Sequence, residues 1–365
     1  MSRCCRGCAG AILVASLALI PAADPPVLAQ EDGFRPLFNG KNLDGWVNVN
    51  CHPQTFVVKE GVIITTGTPT GFLRTEKQYE NFILELDWMH VNKTEVGNSG
   101  LFVWGDPLPA VGSPYTRGIE VQILVNLEYK DKQGRVTATS HGDVFSIWGA
   151  KCKPDRPHPS GWLRCLPSEY RAKGGGEWNH YKVIANNGII KLEVNGREVS
   201  GVSECIPRKG YLALESEGAE CHFKNIRIKE LPSTNPKPEE IADVWHGEVS
   251  RFNGLDLQGW TTEKDSWKVA GGKLVATGKA ELVGEAIPPS GGVLIFDWRV
   301  PAKSAGELTV GLGGQDVRVK AQKPGSWQRE TIMVRPQTGG TPIVFRPVEG
   351  LEIMNVFVRG LPAKP

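Results

Sequence analysis

Polar residues that could perform chemistry concentrate between residues 98 and 171. Glu120 and Gln122 alternate with apolar residues, so on a β-strand both side chains point away from its apolar side, towards water or a concave groove. His141 and Asp143 follow in a turn-rich stretch. Carboxylates and imidazoles are the usual groups of general acid–base chemistry, and the polar face of Glu120 and Gln122 is a candidate cleft. The other polar or aromatic candidates here are Asn98, Trp104, Trp148, Trp162, Arg164 and Glu169.

An internal repeat separates the scaffold from these candidates. Residues 38–46 (FNGKNLDGW) match residues 252–260 (FNGLDLQGW), and four further motifs follow in the same order. A repeat of this kind identifies domains without any alignment to other proteins. It predicts one domain over residues 33–232, a proline-rich linker over 233–247, and a shortened copy over 248–362.

The two copies differ in length near their middle. Ninety residues separate Trp88 from Trp178, but only 29 separate the matching Trp298 from Trp327, so the first copy carries about 61 additional residues. Scaffold positions must recur in both copies, whereas a functional site is needed only once. The insertion is therefore the predicted place of the site, and the second copy is predicted to be inert unless it packs over the cleft.

Composition and periodicity indicate an all-β protein. The 43 glycines and 26 prolines disfavour long helices, and residues 82–88 alternate with the two-residue period of a half-buried strand. Short β-rich runs are separated by turn signals, of which Asn195-Gly196 predicts a type I′ hairpin. Many short strands without an amphipathic helix predict two tandem β-sandwich or jelly-roll domains, the second reduced.

Charge and aromatic content narrow the range of partners. The formal net charge is +2, without a run of Lys or Arg, which argues against a nucleic-acid partner. Of the eleven tryptophans, seven occupy repeated scaffold positions. Three others, Trp104, Trp148 and Trp162, fall in the insertion, where flat indoles suit a sugar-binding face.

Residues 1–29 have the pattern of a signal peptide. Arg3 and Arg6 precede an apolar stretch, and Val27-Leu28-Ala29 fits a small-residue cleavage site. This predicts a secreted or periplasmic protein with no membrane span after cleavage. The alternative is a retained anchor, although twelve apolar residues are too few to cross a bilayer.

Five cysteines follow the predicted cleavage site. In an oxidising compartment some are expected to pair, with one thiol left over because the number is odd. The shortest loops would be closed by Cys152 with Cys165 or by Cys205 with Cys221, and the fifth is Cys51.

Several motifs in one order resemble those of a known family. They are FNGKNLDGW, Asp87-Trp88, Asn98-Ser99-Gly100, Gly118-Ile-Glu120-Val-Gln122, Glu177-Trp-Asn179 and the closing Lys-Asn-Ile-Arg-Ile-Lys-Glu-Leu at 224–231. Together they resemble the 3-keto-disaccharide hydrolase domain family, over residues 33–232 well and over 248–362 in part. The resemblance implies concanavalin-A-like sandwiches, one full and one shortened, in an exported protein.

The resemblance also implies a reaction, the cleavage of glycosides already oxidised at C3 of the sugar. A C3 ketone acidifies the C2 proton, so a base can remove it and the C1 oxygen can leave by β-elimination. Water then adds to the keto-glucal, and the net result is hydrolysis. The site needs a base near C2, a cation or hydrogen-bond donors at the enediolate, and an acid at the leaving oxygen. A divalent metal could serve the second need, without any organic cofactor.

Roles follow from this resemblance, each with a plainer alternative. Glu120 is a base or a metal ligand, or else an exposed strand carboxylate; Gln122 orients the sugar or completes a coordination shell. His141 and Asp143 are base, acid or ligand, or else belong to an ordinary turn. The alternative for Asn98 is a turn residue, and for Arg164 and Glu169 it is a surface charge. The predicted substrate contacts are Asn98, Trp104, Trp148, Trp162, Arg164 and Glu169.

The chain departs from the family pattern at two places. Leu101 follows Asn-Ser-Gly, and the expected Arg beyond it is missing, so either sugar stacking replaces a charged contact or the substrate differs. The closing strand has Glu215-Ser-Glu217-Gly where a Gln-x-His-Gly is common. Glu215 and Glu217 alternate onto one face, and two carboxylates there favour an oxygen-ligand metal such as Ca²⁺, Mg²⁺ or Mn²⁺.

Two other functions stay open at this point. The first is a non-catalytic, lectin-like carbohydrate-binding protein, because a fold does not determine a function. The second is a structural or adhesion module. An endoglucanase is disfavoured, since such a sandwich pairs two or more carboxylates on one strand, whereas residues 118–124 offer only Glu120.

Overall fold

The computed structural model describes residues 33–126, 129–130, 132–134, 136–138 and 141–361. These residues belong to one compact unit that begins at Gly33. The predicted signal peptide, residues 1–29, lies outside the described residues. Within them, the search for an apolar helix of sufficient length to cross a membrane finds none.

Antiparallel strands form nearly all of the regular structure, as predicted, and the described residues contain no α-helix. A short 3₁₀ helix, Pro238–Glu240, precedes β19. The strands are β1 Arg35–Pro36, β2 Trp46–Val49, β3 Phe56–Lys59, β4 Val62–Thr65, β5 Gly71–Thr75, β6 Phe82–His90, β7 Gly97–Gly105, β8 Gly118–Val125, β9 Tyr129–Lys130, β10 Val136–Ala138, β11 Val144–Ile147, β12 Lys151–Pro154, β13 Arg164–Cys165, β14 Asn179–Asn186, β15 Ile189–Val194, β16 Arg197–Ile206, β17 Tyr211–Ser216, β18 Cys221–Glu230, β19 Val249–Ser250, β20 Trp260–Thr261, β21 Trp267–Ala270, β22 Lys273–Ala276, β23 Leu282–Ile287, β24 Gly292–Arg299, β25 Glu307–Leu312, β26 Gln315–Lys320, β27 Gln328–Val334, β28 Thr341–Phe345 and β29 Glu352–Gly360.

Strands β1 to β8 and β11 to β18 form the first sandwich, and β9 and β10 pair with each other in a separate two-stranded sheet. One sheet has the order β12-β16-β15-β14-β6-β18-β4-β3, with β1 beside β18, and the other has the order β13-β11-β8-β7-β17-β5-β2. On β6 every second residue is buried, as its sequence predicts. Asn195 and Gly196 join β15 to β16 with positive φ angles of 48° and 84°, which confirms the predicted hairpin.

Strands β19 to β29 form the second sandwich, which repeats this strand order with fewer strands. Its sheets are β21-β22-β29-β24-β27, with β19 beside β29, and β20-β23-β28-β25-β26. These correspond to β3-β4-β18-β6-β14 and β2-β5-β17-β7-β8. In the described residues the first sandwich therefore extends both sheets at one end, by β15, β16 and β12 in one and by β11 and β13 in the other.

A third apolar cluster, separate from the two cores, joins the sandwiches. Its buried members are Val49, Phe72, Phe102 and Ala213 of the first sandwich and Val293, Ile295 and Phe357 of the second. The four members from the first sandwich lie on the outer face of its seven-stranded sheet, turned away from the first core. The second sandwich therefore covers one half of that face and leaves the half on β8, β11 and β13 uncovered.

The cysteines differ from the sequence expectation. All five that follow residue 32, from Cys51 to Cys221, are free thiols, and all are buried. Burial raises the pKa of the Cys51, Cys205 and Cys221 thiols, which disfavours the reactive thiolate. The expectation of disulfides is wrong because these side chains pack as small apolar residues, four of them on separate strands and Cys51 just after β2.

Candidate active site

The uncovered half of the seven-stranded sheet forms a cleft with a volume of about 350 Å³. A row of directly paired residues crosses it, from Arg164 on β13 to Phe145 on β11 and Glu120 on β8. Paired residues project from the same face of a sheet, so the three side chains stand side by side and line the cleft. The row continues to Phe102 on β7, which lies beneath the second sandwich.

Gly100 allows two carboxylates to approach each other from opposite sides of β7. Glu120 lies on β8 and Glu215 on β17, the two neighbours of β7. A Cβ atom at Gly100 would lie 2.8 Å from Glu215 Oε2 and 2.9 Å from Glu120 Oε1. Any larger residue would therefore collide with both acids, which gives the Asn-Ser-Gly motif a steric reason.

Burial places three carboxylic acids in one site with few compensating charges. Desolvation, and next the nearby Glu217, raise the pKa of Glu120 to about 8, although Arg164 opposes the shift. Desolvation and the two neighbouring acids raise the pKa of Glu215 well above its ordinary value. Desolvation also raises the pKa of Glu217, against hydrogen bonds that lower it. The cluster of three acids therefore holds protons at neutral pH, and the acids titrate as a coupled group rather than one by one.

Hydrogen bonds fix Glu217 at the wall of the cleft. Tyr115 donates its hydroxyl to Glu217 Oε1 at 2.7 Å, and Asn98 donates Nδ2 to Oε2 at 2.5 Å. Gln122 in turn donates Nε2 to Asn98 Oδ1 at 2.8 Å. Asn98 and Gln122 thus lie in the cleft as predicted, although the contacts observed are to protein groups. Among the described residues, Glu215 Oε2 is buried without a hydrogen-bond partner.

Arg164 is a cation that lines the cleft and acts on the charge of Glu120. Its Nη1 donates to Asp143 Oδ2 at 2.8 Å, and its guanidinium lies 3.6 Å from the centre of the Phe145 ring. Asp143 is fully buried behind it. The prediction of Asp143 as a base, acid or ligand is therefore corrected: it holds Arg164 and does not line the cleft.

Two exposed indoles form the rim of the cleft. Trp148 is half exposed and stacks on Tyr115, with ring centroids 6.4 Å apart. Trp162 is similarly exposed and stacks on His158 at 5.0 Å. Each therefore presents a flat apolar face to solvent beside the acids, where the sequence predicted a sugar platform.

Trp104 is the exception among the three insertion tryptophans. It is fully buried, packs against Phe82, and donates its indole N–H to Glu80 O. Its predicted contact with substrate is wrong because β7, on which it lies, has a counterpart in β25 of the second sandwich. Trp104 is thus a scaffold residue, and the true insertion begins only after β8.

His141 and Glu169 also lie away from the cleft. His141 is fully buried, burial lowers its pKa to about 4, and its Nε2 accepts hydrogen bonds from the backbone N–H groups of Arg171 and Ala172. Glu169 pairs with Arg197 at 2.9 Å on the surface. The predicted roles of both in the site are corrected, because His141 fixes a backbone segment and Glu169 a surface ion pair.

Glu215 and Glu217 are the predicted ligands of a divalent metal. In the part of the chain that the structure describes, no group of three or more His, Cys, Asp or Glu side chains is arranged to hold a metal ion. The residues therefore do not fit a preformed metal site, and the divalent metal stays a prediction.

Sequence reasoning missed Tyr115 and Phe145. Phe145 faces the cleft because β11 pairs with β8 in register, a long-range relation that its own segment does not reveal. Tyr115 lies in the loop between β7 and β8, a segment rich in Gly and Pro and without periodicity. The spacing of these residues contained no signal that could have identified them.

Comparison with known proteins places the first sandwich in a family. The family described as 3-keto-alpha-glucoside-1,2-lyase-like domain matches residues 33–229, and the chain belongs to it. A 3-keto-disaccharide hydrolase of Bacteroides thetaiotaomicron is 21% identical over 252 residues, covering 55% of this chain and 79% of the relative. At the level of the family, the protein is glycosyl hydrolase-like.

Solved structures also resemble the chain at low identity. A putative glycosyl hydrolase from Parabacteroides distasonis is 24% identical with a TM-score of 0.42, covering 55% of this chain and 94% of its own. The carbohydrate-binding module CBM66 from Bacillus subtilis is 14% identical with a TM-score of 0.37, covering 51% and 96%.

Proposed function

We propose that the protein cleaves glycosides oxidised at C3, by removing the C2 proton and eliminating the C1 oxygen, with subsequent hydration. The observation that carries the proposal is the cluster of Glu120, Glu215 and Glu217, three acids with raised pKa values at the wall of one open cleft. Family membership and the name of the Bacteroides relative supply the substrate class.

Glu120 is the proposed base. A pKa of about 8 lies close to a neutral working pH, where a base combines a useful deprotonated fraction with a strong drive to accept a proton. The C2 proton of the substrate moves to the carboxylate, and the electron pair passes into the enediolate. Arg164, whose charge acts on Glu120, is the cation proposed to stabilise that developing anion.

Glu215 and Glu217 are the proposed acid. Desolvation and the two neighbouring acids raise the pKa of Glu215 well above its ordinary value, so Glu215 is the proposed holder of the proton. In the second half of elimination the C1–O bond breaks, and the leaving oxygen takes this proton through Glu217. Water then adds its hydroxyl at C1 of the keto-glucal and gives its proton through Glu217 to Glu215, while Glu120 returns a proton to C2, which restores all three groups.

The rim of the cleft is the proposed sugar platform. Trp148 and Trp162 offer flat apolar faces, and sugar rings stack on such faces while their hydroxyls reach nearby polar groups. Gln122 donates to Asn98, and Asn98 donates to Glu217, so their proposed task is to hold the acid in position. A lectin would need the platform but would gain nothing from three buried acids.

The reaction is tested with a disaccharide oxidised at C3 and, as the control, the same disaccharide without oxidation. The full chain should release the second sugar only from the oxidised form. In D₂O the product should carry deuterium at C2. Arms with EDTA and with added Mn²⁺, Mg²⁺ or Ca²⁺ test the predicted metal. Binding of both disaccharides without release from either would contradict the enzyme and favour the lectin-like alternative.

We also propose that residues 1–29 direct export. The proposal is supported only by the sequence pattern of charged, apolar and small residues. Fractionation of a bacterial host that expresses the full chain should recover the processed protein outside the cytoplasm. Recovery of unprocessed chain in the cytoplasm would contradict it.

A further inference from the structure

A second cleft, with a volume of about 490 Å³, lies on the far side of Trp148. One wall is the loop at 106–111 together with Arg117, and the other consists of linker residues 243–248 and Arg329 of the second sandwich. Trp148 lines both this cleft and the first one. A ligand that fills the first cleft and continues past Trp148 therefore enters the second.

The second sandwich holds the loop wall of this cleft in place. Asp297, which is fully buried, accepts a hydrogen bond from Gly112 N at 3.0 Å. Arg329 donates to Pro109 O at 2.8 Å and also pairs with Asp297. Asn355 donates to Ser113 O at 2.9 Å. Because these groups bind backbone atoms, the wall is preorganised and does not have to be ordered by a ligand.

The lining of the second cleft suits an uncharged, hydroxyl-rich ligand. Val111 and Val244 are exposed beside Trp148 and supply apolar surface. Charged groups of both signs surround them, since Arg117 and Arg329 line the cleft together with Asp106, Asp243 and Glu248. Such a balance disfavours a phosphate or a fatty chain, whereas a sugar offers apolar ring faces and hydroxyl edges to the same surface.

We propose that the second cleft binds the leaving-group side of an oligosaccharide whose terminal, oxidised sugar occupies the first cleft. The inference rests on the proposed function and adds a chain-length preference to it. Trp148 supports the sugars at the point where the two clefts meet. The linker and the shortened sandwich thus take part in substrate selection without contacting the reacting atoms.

The test compares the kcat/KM of two substrates, a 3-keto trisaccharide and a 3-keto aryl glucoside that fills only the first cleft. In the unmodified chain the trisaccharide should be favoured at least fivefold. Val244→Arg places a long side chain in the second cleft and should lower this ratio by at least fivefold. The matched control is Val249→Arg, because Val249 is also 55% exposed but lies outside the cleft, and its ratio should stay within twofold.

The result that overturns the subsite is an equal ratio in the unmodified chain, Val244→Arg and Val249→Arg. Failure of the proposed function is a different result, the absence of turnover for both substrates by the unmodified chain. In that event calorimetric titration with the unoxidised trisaccharide decides: at least fivefold weaker binding by Val244→Arg than by Val249→Arg supports the subsite. Equal affinities, or no binding at all, reject it.

Discussion

The two sandwiches share a strand order but use the same outer face differently. On β6 and β18 of the first sandwich, Glu85 pairs with Arg227 in an ion pair of 2.7 Å whose arginine is largely exposed. The matching position on β24 and β29 of the second sandwich pairs Ile295 with Phe357, and both are buried against the first sandwich. Exchanging one charged pair for one apolar pair turns a solvated face into an interface.

A polar trio on that face is kept in both sandwiches with different surroundings. Asp87 in the first sandwich binds His180 and Asn225, and the histidine is almost half exposed. In the second sandwich Asp297 binds Arg329 and Asn355, and the trio also binds the loop next to the clefts. The two sandwiches thus present the corresponding face of the same strand arrangement, solvated in the first and packed in the second.

The largest expected effect concerns the sheets that carry the acids. Glu120→Gln removes the proposed base from β8 and should lower kcat by about 10³-fold, within the range typical of general-base removal. The matched change on β26 of the second sandwich is Asp316→Asn, at an exposed ion pair with Arg346, and should leave kcat within twofold. Full activity of Glu120→Gln would show that the site is wrong even if the reaction is correct.

The second prediction concerns the interface pair. Phe357→Ala leaves a cavity in a fully packed contact and should lower the free energy of unfolding by about 3–5 kcal/mol. Arg227→Ala, at the matching position of the first sandwich, removes one exposed ion pair and should cost less than about 1 kcal/mol. Urea denaturation of both variants measures the difference, and equal costs would mean that the sandwiches do not depend on this contact.

Much of this fold was predictable, because strand period, turn residues and the repeat all act locally. The alternation of β6 and the Asn195-Gly196 turn are examples. Even the change from Arg227 to Phe357 is visible in the aligned copies, although the sequence does not show what covers the aromatic side chain. Glu120, Gln122 and Trp148 were found because they lie on a predicted strand or carry a large exposed ring.

Other site features could not be predicted because they depend on pairing between distant segments. His141 and Trp104 have residue types that suggest function, yet their burial is decided by the strands that surround them. Tyr115 donates to Glu217 from a loop of the first sandwich that is also bonded to Asp297 of the second. A single chain segment contains no information on either relation.

The third prediction tests whether the second sandwich acts on the acids through Tyr115. Tyr115→Phe removes the hydroxyl that donates to Glu217, so the pKa of Glu217 should rise further. The value of kcat should fall about tenfold, because a hydrogen bond to a charged group is worth about 1.5–3 kcal/mol. A pH–rate profile should show the corresponding limb at higher pH. Tyr170→Phe, at an exposed tyrosine, is the matched control and should change neither quantity. An unchanged pH–rate profile in Tyr115→Phe would show that the loop carrying Tyr115 does not influence the reaction.

The smallest expected effect is a pH dependence that distinguishes the two trios. The hydrogen bond to Asp87 raises the pKa of His180 above 6.5. Burial alone would raise the pKa of Asp87, but hydrogen bonds from His180 and Asn225 outweigh it and lower that pKa below 3.8. The pair therefore stabilises the fold at pH values between the lowered pKa of Asp87 and the raised pKa of His180. This stabilisation is lost as the pH rises through the pKa of His180. Double-mutant cycles with Asp87→Asn and His180→Gln should give a coupling of at most about 1 kcal/mol at pH 5.5, because the pair is partly exposed, and almost none at pH 9. The coupling of Asp297 with Arg329 should be the same at both pH values, since a guanidinium keeps its charge throughout this range. Equal behaviour of the two pairs would mean that arginine in place of histidine has not changed the pH dependence of this trio.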